Sequence, residues 1–226
     1  MPQGMSLEYY VLDTETTGLK AGYHEVNQIA LIRVATGEEF VEKLVCQHPY
    51  RASQQALDIQ KTARADLVTG TFPLRVIEEV DAFLQKDGKT REHRCIVAHN
   101  ESFDRKFCHA LWDEYNKEFK ANLWLCTKKL AQAYTKKNGI QKVAAMQRDA
   151  NVQLGKSGIS YSLDNLMIGF GLTPVGTSHS AIGDSRNTVI LFNHLMDQKL
   201  DYVRIIKREP HQQDKLQSAT DGDYEF

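Results

Sequence analysis

Apolar positions in this chain of 226 residues fall into two kinds of run. Short runs with few charges, at 7–13, 26–34, 39–46, 94–98 and 123–125, predict five β-strands. The second and third meet at Thr36-Gly37-Glu38, which has the chemistry of a hairpin turn. Longer segments carry apolar residues at helical spacing. Leu74, Ile77, Val80, Ala82 and Leu84 predict a helix over 74–86, and Phe103, Phe107, Ala110, Leu111 and Tyr115 predict one over 101–119. Further helices are predicted from about 127, over 161–170 and over 181–197. Three strands, then helices alternating with two more strands, predict an α/β fold with a mixed five-stranded sheet flanked by helices. The polar, glycine-containing stretch 137–160 breaks this pattern and is expected to be an insertion or mobile loop within a domain over 1–206. Residues 207–226 have almost no apolar content and are expected to form a polar, disordered tail.

Composition narrows the class. The length suits one domain able to bury a large core. With 28 basic and 29 acidic residues the net charge is −1, which excludes a uniformly basic nucleic-acid coat but not a local patch. Cys46, Cys95, Cys108 and Cys126 are spread singly, with no C-x-x-C pair, and read as reduced thiols of a cytoplasmic protein. Met1 to Leu12 lacks the basic flank and apolar run of a signal peptide, and no segment approaches the roughly 18 apolar residues of a membrane span.

Three segments carry candidate chemistry. Asp13 and Glu15 are two apart on an extended segment, so both carboxylates point to one face. Buried together they repel and lose hydration, and they stay ionised only beside a cation; such oxygen donors suit Mg²⁺ or Mn²⁺ better than zinc. The same Asp-Thr-Glu-Thr-Thr-Gly is also ordinary turn chemistry. Next, His99-Asn100-Glu101-Ser102-Phe103-Asp104 follows a predicted strand and opens a helix. There Asp104 is favoured by the helix dipole and Asn100 is a possible N-cap. Last, His179 and Asp184 are five apart, about 140° around a helix. That spacing makes sense with His179 on the lead-in, Ser180 as N-cap and Asp184 on the first turns. A histidine so placed can titrate near neutrality and take a proton from water; it can equally be a loop residue with no task.

Taken together, Val-Leu-Asp13-Thr-Glu15-Thr-Thr-Gly-Leu, Ala-His-Asn-Glu-Ser-Phe-Asp104 and His179-x4-Asp184 resemble the three motifs of the DEDDh (DnaQ-like) 3′→5′ exonucleases, which have a ribonuclease-H-like fold. The motifs occur in the family's order and spacing over roughly residues 7–197, and the histidine places the chain in the histidine subclass. The resemblance implies a two-metal mechanism. Asp13, Glu15 and Asp184 would hold one Mg²⁺, Asp13 with Asp104 the second, and His179 would deprotonate the attacking water. It also implies a terminal-nucleotide pocket. Thr14 and Thr16 would meet the 3′-OH, Leu19 would pack on the base, and Asn100 and Phe103 would line the same pocket. Two positions depart from the family's pattern: Gln28 stands where many relatives have Glu, and Cys126 where many have Asp.

One clue is independent of the motifs. Residues 127–148 hold Lys128, Lys129, Lys136, Lys137, Lys142 and Arg148 and no acidic residue, a patch suited to a phosphate backbone, with Tyr134 placed to stack on a base. A solvated helix face has the same pattern. The leading expectation is a metal-dependent exonuclease on single-stranded or frayed DNA 3′ ends, with a polymerase or other replication partner in trans. A ribonuclease trimming RNA 3′ ends is the second, since contacts to a 2′-OH cannot be placed. A catalytically silent nucleic-acid-binding or bridging subunit is the third.

Overall fold

The computed structural model describes residues 7–155, 158–176 and 179–200, and the backbone of 205–207. The strands are β1 (Glu8–Thr16), β2 (Val26–Arg33), β3 (Glu39–Lys43), β4 (Arg94–Ala98), β5 (Leu123–Cys126) and β6 (Ile205–Lys207). The α-helices are α1 (Gln54–Gln60), α2 (Pro73–Gln85), α3 (Glu101–Glu114), α4 (Thr127–Asn138), α5 (Ile140–Asp149), α6 (Leu163–Gly169) and α7 (Ala181–Asp197).

All five expected strands form, and β6 adds a sixth at one edge, giving the order β3-β2-β1-β4-β5-β6. β1 pairs antiparallel with β2 and parallel with β4; β4 and β5 are parallel, β5 and β6 antiparallel. Alternation along β1 splits the core in two. Tyr10 and Leu12 point into a cluster with Ile77, Val80 and Leu84 of α2 and Phe107 and Trp112 of α3. Val11 points the other way, into a cluster with Leu130 of α4, Val143 of α5, Leu166 of α6 and Leu191 of α7. β4 is central and buried at every position, whereas β3 is an edge strand carrying Glu39, Glu42 and Lys43.

Several elements differ from the prediction: β3 ends at Lys43 rather than at 46, and α1 was not expected. β1 runs on to Thr16, so Asp13 lies within the strand rather than at its end. α3 stops at Glu114 because Asn116 adopts a left-handed φ of 53°, and the Asn116 and Lys117 N–H groups close the helix on the carbonyls of Asp113 (3.1 Å) and Trp112 (3.0 Å). Within 137–160, residues 140–149 are not a loop but α5, which buries Val143, Ala144 and Gln147. Three buried positions on a polar helix make too narrow a stripe to read from sequence. Of the expected tail, all beyond Lys207 lies outside the described residues.

The start of β4 is locked by a buried ion pair. Arg94 (3% exposed) bonds Asp87 (0%) through Nε and Nη2, and Asp87 also accepts from Tyr10 Oη (3.1 Å) and the Lys89 N–H (2.8 Å). Burial would raise the Asp87 carboxyl; Arg94 and these donors hold it below its ordinary value. Arg94→Met leaves that carboxylate buried without its cation, so we expect a loss of about 3–5 kcal/mol in urea unfolding. The double variant Arg94→Met/Asp87→Asn should recover much of it.

Candidate active site

The two partners of β1 stop at different places. Pairing with β4 ends at Val11–Val97, whereas pairing with β2 continues to Thr16–Val26. Beyond Val11 one edge of β1 therefore faces the space that β4 has left. This is the point where the chain's parallel strands diverge to opposite sides, the usual place for a binding crevice in an open α/β sheet.

The alternation that splits the core also sorts the chemistry. Thr14 and Thr16 follow Leu12 toward α3; Asp13 and Glu15 follow Val11 toward α7. There α7 supplies Asp184, and one carboxylate oxygen from each of Asp13, Glu15 and Asp184 lies within 4.8 Å of the others. Two bonds set the start of α7. Ser180 caps it, its Oγ accepting from the Gly183 N–H (3.3 Å), and Gln28 Oε1 accepts from the Ala181 N–H (2.9 Å). Gln28 is the β2 partner of Glu15, so the helix is tied to the sheet directly across from a site carboxylate.

Asp104 arrives from the opposite layer. Its Oδ1 accepts from the Thr14 N–H (3.0 Å) and Thr14 Oγ1 (2.8 Å), and it is 3% exposed. The Thr14 amide lies where β4 no longer runs, and the carboxylate takes the place of the missing strand.

This concentration of acid has an electrostatic cost. Burial, together with Asp104, Asp184 and Glu15, pushes the Asp13 carboxyl well above its ordinary range. Burial and Asp184 raise Glu15 to about 7. Asp104 is raised to about 7 by burial, in spite of the Thr14 bonds. Asp184 is raised to about 6 by burial and by Asp164 on α6, with the His179 imidazole and its backbone N–H opposing. A divalent cation relieves all of these strains at once. An all-oxygen donor set with this burial fits a hard ion such as Mg²⁺ or Mn²⁺.

His179 sits at the surface just before the Ser180 cap, with a left-handed φ of 60°. Asn100, at the mouth of α3, is also left-handed (φ 71°) and makes no capping bond with its side chain. Non-glycine residues held in that region are uncommon, and both flank the carboxylates.

The family model of the RNase T exonucleases matches residues 10–192, more than half of the chain. The chain belongs to this exonuclease family. The exonuclease is 29% identical over 127 residues to a PolC-type DNA polymerase III of Listeria monocytogenes, covering 55% of this chain and 8% of that one. A PolC-type enzyme of Streptococcus agalactiae is 34% identical over 113 residues, 48% of this chain and 7% of that one. This chain thus spans less than a tenth of these curated relatives. The fold matches the nuclease domain of 3′hExo, a DEDDh family member bound to rAMP (TM-score 0.65, 13% identity, 89% of this chain and 97% of that one). It also matches Escherichia coli exonuclease I in a zinc-bound complex with single-stranded DNA (TM-score 0.65, 14% identity, 86% and 41%). The ribonuclease-H-like architecture expected from the motifs is the one found.

The other expected site residues of the exonuclease fall in several places. Thr14 and Thr16 are buried and spend their hydroxyl protons internally, on Asp104 and on the Gly18 carbonyl (2.7 Å), so each oxygen is left as an acceptor only. Leu19 is 48% exposed on the loop after β1, and Phe103 packs on Phe107 (ring centroids 4.8 Å). The lysines do not form one surface. Lys128 and Lys129 open α4, and Lys129 lies 3.9 Å from Glu101. Lys137 instead donates to the carbonyls of Gln198 (3.3 Å) and Lys199 (2.8 Å) at the far end of α7, about 20 Å along that helix from Asp184. Lys136 and Lys142 are exposed near the same end of α4, Lys142 beside Asn138 (3.3 Å). Tyr134 is not available to a base: it is buried edge-on to Phe170 (5.1 Å).

Sequence reading missed several supporting residues. Gln28 registered only as a departure, although it ties α7 to β2. Gln60 holds the end of β1, donating to the Thr16 carbonyl (2.7 Å) while accepting from Asn27 (2.8 Å). His99 is a structural residue. Its Nε2 donates to the Tyr161 carbonyl (2.9 Å), which leaves Nδ1 to accept from Thr127 Oγ1 (2.9 Å), and burial lowers it to about 4. Nothing local in the sequence marks these roles, because each partner is far away along the chain.

Proposed function

We propose that this exonuclease removes nucleotides from the 3′ end of single-stranded or frayed DNA and releases nucleoside 5′-monophosphates. The observation that carries this reading is the convergence of Asp13, Glu15 and Asp184 at the open edge of β1, with Asp104 fixed beside them and His179 on the adjoining lead-in. Two Mg²⁺ fit the donor set, with Mn²⁺ able to substitute: Asp13, Glu15 and Asp184 would hold one, Asp13 and Asp104 the other. When bound, the metal supplies charge stabilisation for the attacking and leaving oxygens of an in-line displacement. His179, exposed and next to Asp184, accepts the proton of the attacking water at its imidazole nitrogen. Thr14 fixes the Asp104 carboxylate through two bonds, and Gln28 fixes the helix that carries Asp184. Leu19, Asn100 and Phe103 would shape the pocket for the terminal nucleotide, and Lys128 and Lys129, at the start of α4, would attract its phosphates.

The PolC-type relatives favour DNA and a polymerase context. A specific observation keeps RNA as the second reading: one structural neighbour was solved bound to rAMP. The four free, buried cysteines support a reducing, cytoplasmic setting; among the described residues no helix is long and apolar enough to cross a membrane.

The test is digestion of matched single-stranded DNA and RNA, labelled at either end, with Mg²⁺, Mn²⁺ or chelator. We expect metal-dependent ladders shortening from the 3′ end of DNA. Faster loss of RNA would shift the assignment to the second reading, and no cleavage with either metal would overturn both.

A further inference from the structure

The loop after β1 and the turn at 47–53 form a surface that the carboxylate site does not use. Tyr50 is 71% exposed and Tyr23 46%. The Arg51 guanidinium lies over both rings, 5.1 Å from the Tyr23 centroid and 5.7 Å from that of Tyr50, and the Lys20 ammonium approaches Tyr23 at 5.9 Å. Exposed tyrosines interleaved with cations suit a nucleic-acid strand, but on a loose loop they would be weak evidence of one.

This turn is not loose. The Glu25 carboxylate accepts from the N–H groups of Gln47 (2.7 Å) and His48 (2.8 Å). Arg64 bonds the carbonyls of Pro49 (2.6 Å) and Ala52 (2.9 Å) from the other side. The Ser53 N–H donates to the Thr17 carbonyl (2.8 Å), which ties the turn to the loop leaving β1. Pro49 fixes the backbone where the 3-10 turn Pro49–Arg51 begins. Five bonds thus hold a surface turn whose tip carries a bare ring and a guanidinium.

The turn is also close to the reacting centre. Tyr50 is three residues from Ser53 and Glu15 two from Thr17, so with the 2.8 Å bond between them and the length of the side chain the ring lies within about 30 Å of the Glu15 backbone. That is at most roughly nine stacked nucleotides at about 3.4 Å each.

We propose that Tyr23, Tyr50 and Arg51 form a stacking platform for the bases and phosphates of the single strand upstream of its 3′ terminus. Every base has a π-face, so such a platform grips without reading sequence. It rests on the reading of the chain as an exonuclease acting on single strands, and it makes a demand that reading does not: long substrates are held by contacts that very short ones cannot reach.

The experiment compares Tyr50→Ala, Arg51→Ala and Tyr50→Phe with the parent chain, each checked for an unchanged melting temperature. A labelled twelve-nucleotide single strand is titrated by fluorescence anisotropy with chelator present, and KM and kcat are measured on that strand and on a dinucleotide. Loss of one stacked base predicts about 5- to 150-fold weaker binding of the long strand for each alanine variant. Its KM should rise with kcat kept, dinucleotide turnover should not change, and Tyr50→Phe should bind like the parent. Equal losses on both substrates, or undiminished binding of the long strand, would overturn the platform. If the parent cleaves neither polymer the exonuclease reading fails instead, and the anisotropy arm still decides the platform.

Discussion

Asp184→Asn should give an enzyme that is nearly inactive yet melts higher than its parent at pH 8 in chelator. The two effects share one cause. Asp184 lies with Asp13 and Glu15 in a cluster whose oxygens are within 4.8 Å of each other; burial raises all three, and the Asp184 charge raises Asp13 and Glu15 further. Asparagine keeps the shape and can still accept from the His179 N–H, but it removes a charge from the middle of the cluster. Removing a group that merely orients a metal ligand costs 10–100-fold, so removing a ligand should cost at least about 100-fold in kcat. A stability rise of about 1–2 kcal/mol would raise the melting temperature by about 2–8 °C. Calorimetry and a single-turnover assay on the same preparation check both. Retention of full activity would remove Asp184 from the site; a lower melting temperature would show that the carboxylates are compensated by something other than a cation.

The metal-free protein should lose stability as pH rises from about 4 to 7, opposite to the behaviour of ordinary salt-bridged carboxylates. The folded state holds Glu15 and Asp104 at about 7 and Asp184 at about 6, all above their ordinary values, so it binds protons that the unfolded chain has released. Such groups contribute stability at low pH and lose it as pH rises through their folded values. His99 works the other way. Its folded value of about 4 lies below the ordinary one, so its contribution is complete above about 6.5 and fades as pH falls toward 4. Three carboxylates outweigh one imidazole throughout this range, so the metal-free protein is most stable near pH 4 and has lost several kcal/mol by pH 8. Millimolar Mg²⁺ or Mn²⁺ should abolish that loss at pH 8 and do little at pH 5.5, where protons occupy the carboxylates. A flat profile in chelator would mean that the cluster is not strained.

What the sequence revealed and what it hid follow from the range of each interaction. Strand alternation is local, so it placed Asp13 and Glu15 on one face, and helix spacing separated His179 from Asp184 across the Ser180 cap, as found. The three motifs then carried the family and the fold. The extension of β1 past Asp13 was illegible because it depends on β2 alone continuing to pair. α5 was hidden by its narrow apolar stripe, and Tyr134 looked available only because Phe170, which covers it, is 36 positions away. The lysine patch failed for a related reason. Charge counts along a helix say nothing about which end faces the substrate, and Lys137 is spent on the carbonyl end of α7.

The early departure of β4 from β1 also bears on how such a domain can diverge. The crevice is a gap in a ladder, and its width is set by the spacing between strands, about 4.8 Å per place, rather than by any loop. Asp13 and Glu15 inherit their positions from backbone pairing with β2, and Asp104 from a backbone amide of β1. Loops around the rim can then lengthen, shorten or change composition without moving the acids. Lineages built on this frame are free to try new substrates at the margin while the reaction itself is kept by the peptide geometry.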